Sequence, residues 1–431
     1  MLLHQQDLAQ VQDPVQPVSP VVAPSGDTLT LASAEEAALR NQPRIAAAEL
    51  RARAAQQRVA ESRSALLPTV GFNATGSRVA DTGTSTASGA LTTSSVSDRF
   101  AYGGSLQQLV TDFGRTSALV ASARDRVVSQ RDLVTLTHAQ VRLAVRQAYF
   151  GVLGAEAVLH AAEEAQANRH LITHQITALA NSQLRSTLDV NFAAVLESEA
   201  ELTVVHARSI VEQQRSRLAV AMGETQSIAA KLEDLPLPPL TAQDEAALLA
   251  EALQTRADLD AAKFDAKAAV DFTKAEHRLN FPTLEALGAA GQVPFHDRTL
   301  QGDYAAAGFN LNVPIFNGGL FRAREAEASL EASARNRDVA DLTLRVNQQV
   351  RDAISQMNEA LRALDVTQRL VAQSAEALRL AQARYDAGLG GIVELNEAQL
   401  NETSARINAA DARYSYLARR ADLDYAIGLL N

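Results

Sequence analysis

Leu66-Leu67-Pro68-Thr69-Val70 and Asn280-Phe281-Pro282-Thr283-Leu284 decide how this chain is read. Each Pro-Thr pair closes a stretch rich in Ala and charged residues. Proline removes an amide donor and pushes the residue before it out of helical space, so a helix ends there and an extended segment can begin. After Pro68, Val70, Phe72 and Ala74 alternate with Thr69, Gly71 and Asn73, the period of two of a strand. A helix-to-strand junction thus occurs twice, once in each half.

Working outward, the halves correspond elsewhere. Val145-Arg146-Gln147-Ala148 matches Val350-Arg351-Asp352-Ala353, a constant offset of 205 positions (145 to 350). The same offset pairs Leu188-Asp189-Val190 with Val393-Glu394-Leu395, and Ala221-Met222-Gly223 with Ala426-Ile427-Gly428. Three separated matches at one offset mark an internal duplication. The prolines are offset by 214 (68 to 282), so the first hairpin is the longer. Its extra length falls in or near 81–97, a run of Ser, Thr, Gly and Ala that reads as a long mobile loop. The expected organisation is a disordered arm over 1–27, with Pro14, Pro17, Pro20 and Pro24, and a first structural repeat over 28–224. A linker over 225–243 and a second repeat over 244–431 follow.

Each repeat should hold a helix, two strands and long helices. The first helical stretch, 28–66, breaks at Pro43. Residues 116–181 contain no Pro, and such a helix spans roughly 100 Å. In the second half a seven-residue column runs Val350, Met357, Leu364, Val371, Leu378, Tyr385, flanked by Ile354 and Leu361, which is a coiled-coil seam. Composition agrees. Apolar residues make up 47% but aromatics only 4%, with no Trp, so thin seams of small residues fit better than a thick core.

Charge and composition also exclude function classes. Net charge is −10 and no Lys/Arg stripe exists, so nucleic-acid binding has no footprint. No cysteine is present, which excludes disulfides, thiolate metal sites, a Cys nucleophile and a lipidated Cys on this chain. No run of about 18 apolar residues reads as a membrane helix. Residues 1–10 show no apolar signal-peptide core.

The clearest strand pattern lies late in the chain. Phe309, Leu311, Val313 and Ile315 alternate with Asn310, Asn312 and Pro314, so one face is apolar and the other carries amides. Both a soluble edge hairpin and a membrane-barrel strand with lipid outside and water inside have this pattern; on the second reading Phe309, Leu311 and Val313 face lipid. Candidate strands of about 10–12 residues suit a tilted crossing of a bilayer. Four strands cannot close on themselves, and open edges are not tolerated in lipid. Other copies must complete the sheet, and three would supply about twelve strands around a lumen.

With these pieces in place, the sequence resembles the TolC-type outer-membrane efflux protein family (outer membrane factors) over 29–430. The carriers are the duplicated Leu-Pro-Thr and Phe-Pro-Thr strand starts, and the strand ends Asp112-Phe113-Gly114-Arg115 and Phe316-Asn317-Gly318-Gly319. The third is the tip motif Arg384-Tyr385-Asp386-Ala387-Gly388-Leu389 with Val393-Glu394-Leu395-Asn396-Glu397-Ala398-Gln399. The resemblance implies a mainly α fold with a membrane β-barrel portion: a homotrimer whose 12-stranded barrel is continued by a periplasmic α-helical barrel. It implies an outer-membrane location with a periplasmic extension, and a passive duct for efflux or type I secretion. The implied partners are a periplasmic adaptor, an inner-membrane pump of RND or ABC type, and outer-membrane lipid. No cofactor and no catalysis are implied.

The helix-to-helix turns, 181–188 and 386–393, follow helices of tunnel length and are expected at the periplasmic end. Gly388, Gly390 and Gly391 should permit the tight reversal. By position, Gln183, Leu184, Arg185, Gly388 and Leu389 are candidate adaptor contacts. In similar proteins a Tyr, an Arg and acidic groups constrict the entrance, and here Tyr385, Glu394, Glu397 and Asp189 occupy that region. Gly390 stands where some members carry the gating Arg, leaving Arg384 or Arg185 as substitutes. Glu394 and Glu397 share a helix face, and threefold repetition would make acidic rings that attract cations. His170 and His174 have helical metal spacing but no third ligand in a zinc pattern, so no metal site is expected. Three Met residues give no soft-metal pathway. No phosphate loop or Ser/His/Asp signature is present. The competing reading is a soluble periplasmic coiled-coil scaffold or adaptor. It explains the heptads but not the paired strands.

Overall fold

The structure, a computed structural model, describes residues 28–77, 99–238, 244–295 and 302–431. The expected N-terminal arm, the Ser/Thr/Gly loop and the last part of the linker (239–243) lie outside the described residues.

The order of elements repeats. α1 (Leu31–Asn41), α2 (Pro43–Ser64), β1 (Thr69–Ser77), β2 (Arg99–Thr111), α3 (Arg115–Asn181) and α4 (Thr187–Met222) are followed by α5 (Glu245–Thr255), α6 (Ala257–His277), β3 (Thr283–Phe295), β4 (Asp303–Asn312), α7 (Leu320–Asp386) and α8 (Ile392–Ala426). α3 and α7 are each 67 residues long. Pro43 is the first residue of α2, where its missing amide costs nothing, and Gln42 before it is extended. Pro68 and Pro282 sit between helix and strand, as expected.

The backbone records the duplication more sharply than side chains do. The positive-φ residues among those described are Phe113, Gly114, Gln183, Gly223, Gly318, Gly319, Gly388 and Gly428. They form four pairs at the 205 offset: 113 with 318, 114 with 319, 183 with 388, and 223 with 428. Left-handed backbone is needed at each strand-to-helix junction, each tip and each terminal C-cap. Six of the eight positions use glycine, which adopts it without a Cβ penalty.

The strands form one antiparallel sheet in the order β1-β2-β3-β4. The central β2–β3 pairing joins the two repeats. The outer edges of β1 and β4 have no strand partner among the described residues. Register places Val70, Phe72, Tyr102, Leu106, Leu284, Phe309 and Leu311 on one face. Val70 (75% exposed), Phe72 (72%), Phe309 (76%) and Leu311 (62%) stand clear of any cover. The opposite face carries Thr69, Asn73, Ser105, Gln107, Glu285, Asn310 and Asn312. The sequence pattern extends the last strand through Val313 and Ile315, but β4 stops at Asn312, so Val313 is not a strand residue. Pro314 offers no amide and Pro282 occupies the next rung opposite, so the ladder ends on Thr283 and Asn312.

The chain divides into two compact units, which mix the repeats. One contains 48–133 and 258–342: the sheet and the helix segments nearest it. Its helix seams are alanine-rich, with Ala118, Ala266, Ala268, Ala275 and Ala328 buried. Arg278 Nη1 donates to Gly114 O at 2.6 Å, and the buried Asp112 accepts from the amides of Gly114 (3.0 Å) and Thr116 (2.6 Å) to start α3. The other unit contains the described part of 1–47, with 134–257 and 343–431. Its core includes Val145, Tyr149, Val152, Leu218, Val346, Val350 and Leu423. Tyr149 donates to Leu29 O and sits 2.8 Å from Glu233 O, tying the described linker to the α1 approach where Leu29 bridges Leu232. In the heptad column Val350, Met357 and Tyr385 are buried, and Leu364, Val371 and Leu378 are half-buried.

Candidate functional site

Both tips lie in the second unit and are built alike. At the end of α3, Leu184 N donates to Leu179 O (2.9 Å) and Gln183 N to Ala180 O (2.9 Å). At the end of α7, Leu389 N donates to Arg384 O (2.8 Å) and Gly388 N to Tyr385 O (3.0 Å). These nested bonds define a Schellman cap, whose pivot residue must be left-handed. Gln183 takes φ +58 and Gly388 φ +70. Gly391 instead caps α8 at φ −88, and Gly390 is outside the left-handed region, so Gly388 alone of the three expected glycines supplies the reversal. The residues after the pivots, Leu184 (70% exposed) and Leu389 (75%), point into solvent rather than back onto their helices.

The charged groups are arranged differently in the two tips. Ser186 accepts from Leu188 N, and Asp189 accepts from Ser186 N at 3.3 Å, a capping box that opens α4. Asp189 is therefore engaged locally. In the second tip Arg384 Nε lies 3.0 Å from Glu394 Oε1. Gly390 is packed beside this pair. A Cβ there would meet Arg384 Cβ and Glu394 Oε2 at 3.2 Å each. Glu397, one helical turn further along α8, is exposed. Across the tips, the Arg185 guanidinium stands 4.6 Å from the centre of the buried Tyr385 ring. Burial pushes the Tyr385 phenol upward, Arg185 pulls it back, and Asp189 and Asp386 add to the rise. The two Arg residues expected near the entrance thus divide the work: one pairs with Glu394, the other covers Tyr385.

Behind the tips, Ile172, Ile176 and Ala193 form a small core, with Val190 and Ile392 packed on it. Beyond it α8 buries a polar row at three-residue spacing, Asn396, Gln399 and Glu402. Arg169 Nη1 donates to Asn396 Oδ1 (2.7 Å), and Glu402 pairs with Arg406, which also reaches Glu164 (2.7 Å). Burial lowers the Arg169 guanidinium. This row escapes the sequence reading. Its signal is three polar residues on the helix face that also carries Leu395. His170 Nδ1 lies 2.6 Å from Glu197 Oε1, and His174 is exposed. Among the described residues no three His, Asp or Glu side chains are grouped to hold a metal ion. No described helix is long and apolar enough to cross a membrane.

A profile of the outer membrane efflux protein family matches residues 35–224 and 248–429. The chain belongs to the outer membrane efflux protein family. The match falls in two segments, one in each half of the chain, with 225–247 unmatched between them. Among curated relatives, Outer membrane protein TolC of Vibrio cholerae is 27% identical over 423 residues, covering 93% of this chain and 91% of the relative. Among solved structures, the outer-membrane channel OprN superposes with a TM-score of 0.79 at 20% identity, covering 92% of this chain and 89% of its own. The Neisseria gonorrhoeae MtrE outer membrane channel gives 0.77 at 23% identity, covering 92% and 88%. The fold is that of these channels, and membership of an outer membrane family removes the soluble scaffold reading.

Proposed function

We propose that three copies of this chain close one tunnel through the outer membrane. It acts as a passive duct that docks to a periplasmic adaptor and an inner-membrane pump. One observation carries the reading: a four-stranded sheet with an exposed apolar face and, among the described residues, two open edges. In hydrocarbon each unpaired backbone group costs several kcal/mol, so β1 of one subunit must meet β4 of the next. The helices offer matching seams. α3 is tied to α4 by Arg208–Glu163 and Arg215–Glu156, and to α8 by Arg406–Glu164. This leaves Leu188, Phe192, Val195 and Leu202 exposed along α4, and Val366, Leu370 and Leu380 along α7. Both stripes suit helix packing against neighbouring subunits.

On this reading 28–224 and 244–431 are the repeats of one ancestral unit, joined by 225–243. Tyr385, Asp189, Gly390, Glu394 and Glu397 belong to the entrance, whose closure rests on the Arg185–Tyr385 and Arg384–Glu394 contacts. Gln183, Leu184, Arg185, Gly388 and Leu389 present the adaptor surface, with the two exposed leucines as anchors. No catalytic step is required. The test is native mass spectrometry of the detergent-extracted chain, followed by planar-bilayer recording. A trimer with discrete conductance is expected. A stable, detergent-free monomer refutes the reading.

A further inference from the structure

We propose that Glu285 sets the charge selectivity of the strand-lined part of the channel, forming with Gln107 and Asn310 a girdle that attracts cations. The inference rests on the tunnel reading above and adds a selectivity element in the barrel wall, separate from the tip carboxylates. Register fixes its place. Glu285 pairs with Leu109 on one side and Asn310 on the other, on the face opposite Val70, Phe72, Phe309 and Leu311. With the apolar face toward lipid, that face lines the bore. Among the described strand residues Glu285 is its one carboxylate. Gln107 Nε2 donates to Glu285 Oε2 at 2.9 Å. The donor is an amide, so the bond orients the carboxylate without cancelling its charge. Thr69, Thr283 and Asn312 stand at the same end of the sheet, opposite or beside these residues, and extend the polar belt. Further along the face Ala289, Ala306 and Gly308 project little or nothing, and Leu287 and Tyr304 bring bulk but no carboxylate, so the negative charge of this face sits at the belt. Threefold repetition turns one carboxylate into a ring. Its field extends about 10 Å at 0.1 M salt but only about 3 Å at 1 M.

The experiment is a reversal-potential measurement on full-length trimers in planar bilayers under a KCl gradient near 0.1 M. It is made in a Glu394→Gln/Glu397→Gln background so that tip charges do not mask the barrel. The parent is expected to prefer potassium over chloride. Glu285→Gln, which keeps a partner for Gln107, should reduce the permeability ratio at least twofold, and Glu285→Asp should preserve it. The difference should vanish near 1 M salt. Conducting trimers whose ratio is the same with Glu and Gln at 285 overturn the proposal. A parent chain that forms no channel overturns the tunnel reading instead.

Discussion

The guanidinium of Arg185 lies 4.6 Å over the ring of Tyr385, joining the α3–α4 turn to the end of α7. The ring is buried while its hydroxyl has no hydrogen-bond partner among the described residues. The ring face, then, and not the phenol oxygen, holds the clasp. A cation over an aromatic face contributes about 0.5–2 kcal/mol. Arg185→Ala is expected to loosen the tips and raise single-channel conductance several-fold, whereas Tyr385→Phe should leave it near the parent value. Equal effects of the two variants in bilayer recordings would refute a ring-based clasp.

The tip carboxylates should not act equally. Glu394 and Glu397 are both exposed, but Glu394 is paired with Arg384 at 3.0 Å. Neutralising Glu397 alone should therefore weaken channel block by multivalent cations by about tenfold, as one exposed charge per subunit leaves the ring. Glu394→Gln should weaken block less and instead free Arg384. Titrating hexamminecobalt against conductance separates the two. Unchanged block in the double variant discards the acidic-ring idea.

Gln183 occupies a left-handed position that its counterpart Gly388 fills without strain. A side chain in this region costs roughly 1–2 kcal/mol. Gln183→Gly is expected to recover about 1 kcal/mol of local stability, offset in part by the greater freedom of glycine in the unfolded chain. Hydrogen exchange at the amides of residues 183 and 184 should slow. Faster exchange there would contradict the strain argument.

The chain lacks Trp, so a single introduced indole reports its own surroundings. Phe309→Trp should show blue-shifted emission and strong quenching by brominated lipid. Asn310→Trp, one residue along on the other face, should be quenched by aqueous iodide. Charged substitutions should divide the same way: an Arg at 309 costs about 2–4 kcal/mol at mid-membrane, while lumen substitutions are tolerated. Identical quenching at both sites would deny the assigned faces.

Much of this architecture is legible in residue order, because periodicity and proline act locally. The Pro-Thr junctions, the period-two strands and the seven-residue column each follow from short-range geometry. Val313 shows where that stops. Alternation continues past Asn312, but the ladder needs amides that Pro314 and Pro282 lack. The tip chemistry is less visible, since Arg384 meets Glu394 only after the turn folds back, and Arg185 meets Tyr385 only across two hairpins. Asn396, Gln399 and Glu402 look solvated in a linear reading and are buried by packing on α3. The strain at Gln183 was available all along, in the 205 offset that sets it against a glycine.

The bare outer rims of β1 and β4 carry a consequence for heredity and dosage. A subunit whose rim cannot mate does not merely fail alone. On the tunnel reading it still mates through its other rim, so it occupies a place in the ring and spoils the two good subunits beside it. When faulty and sound copies are made together in a threefold ring, intact rings should fall roughly as the cube of the sound fraction. Half-dose mixtures would then export far less than half as well, and a defective allele would behave as dominant.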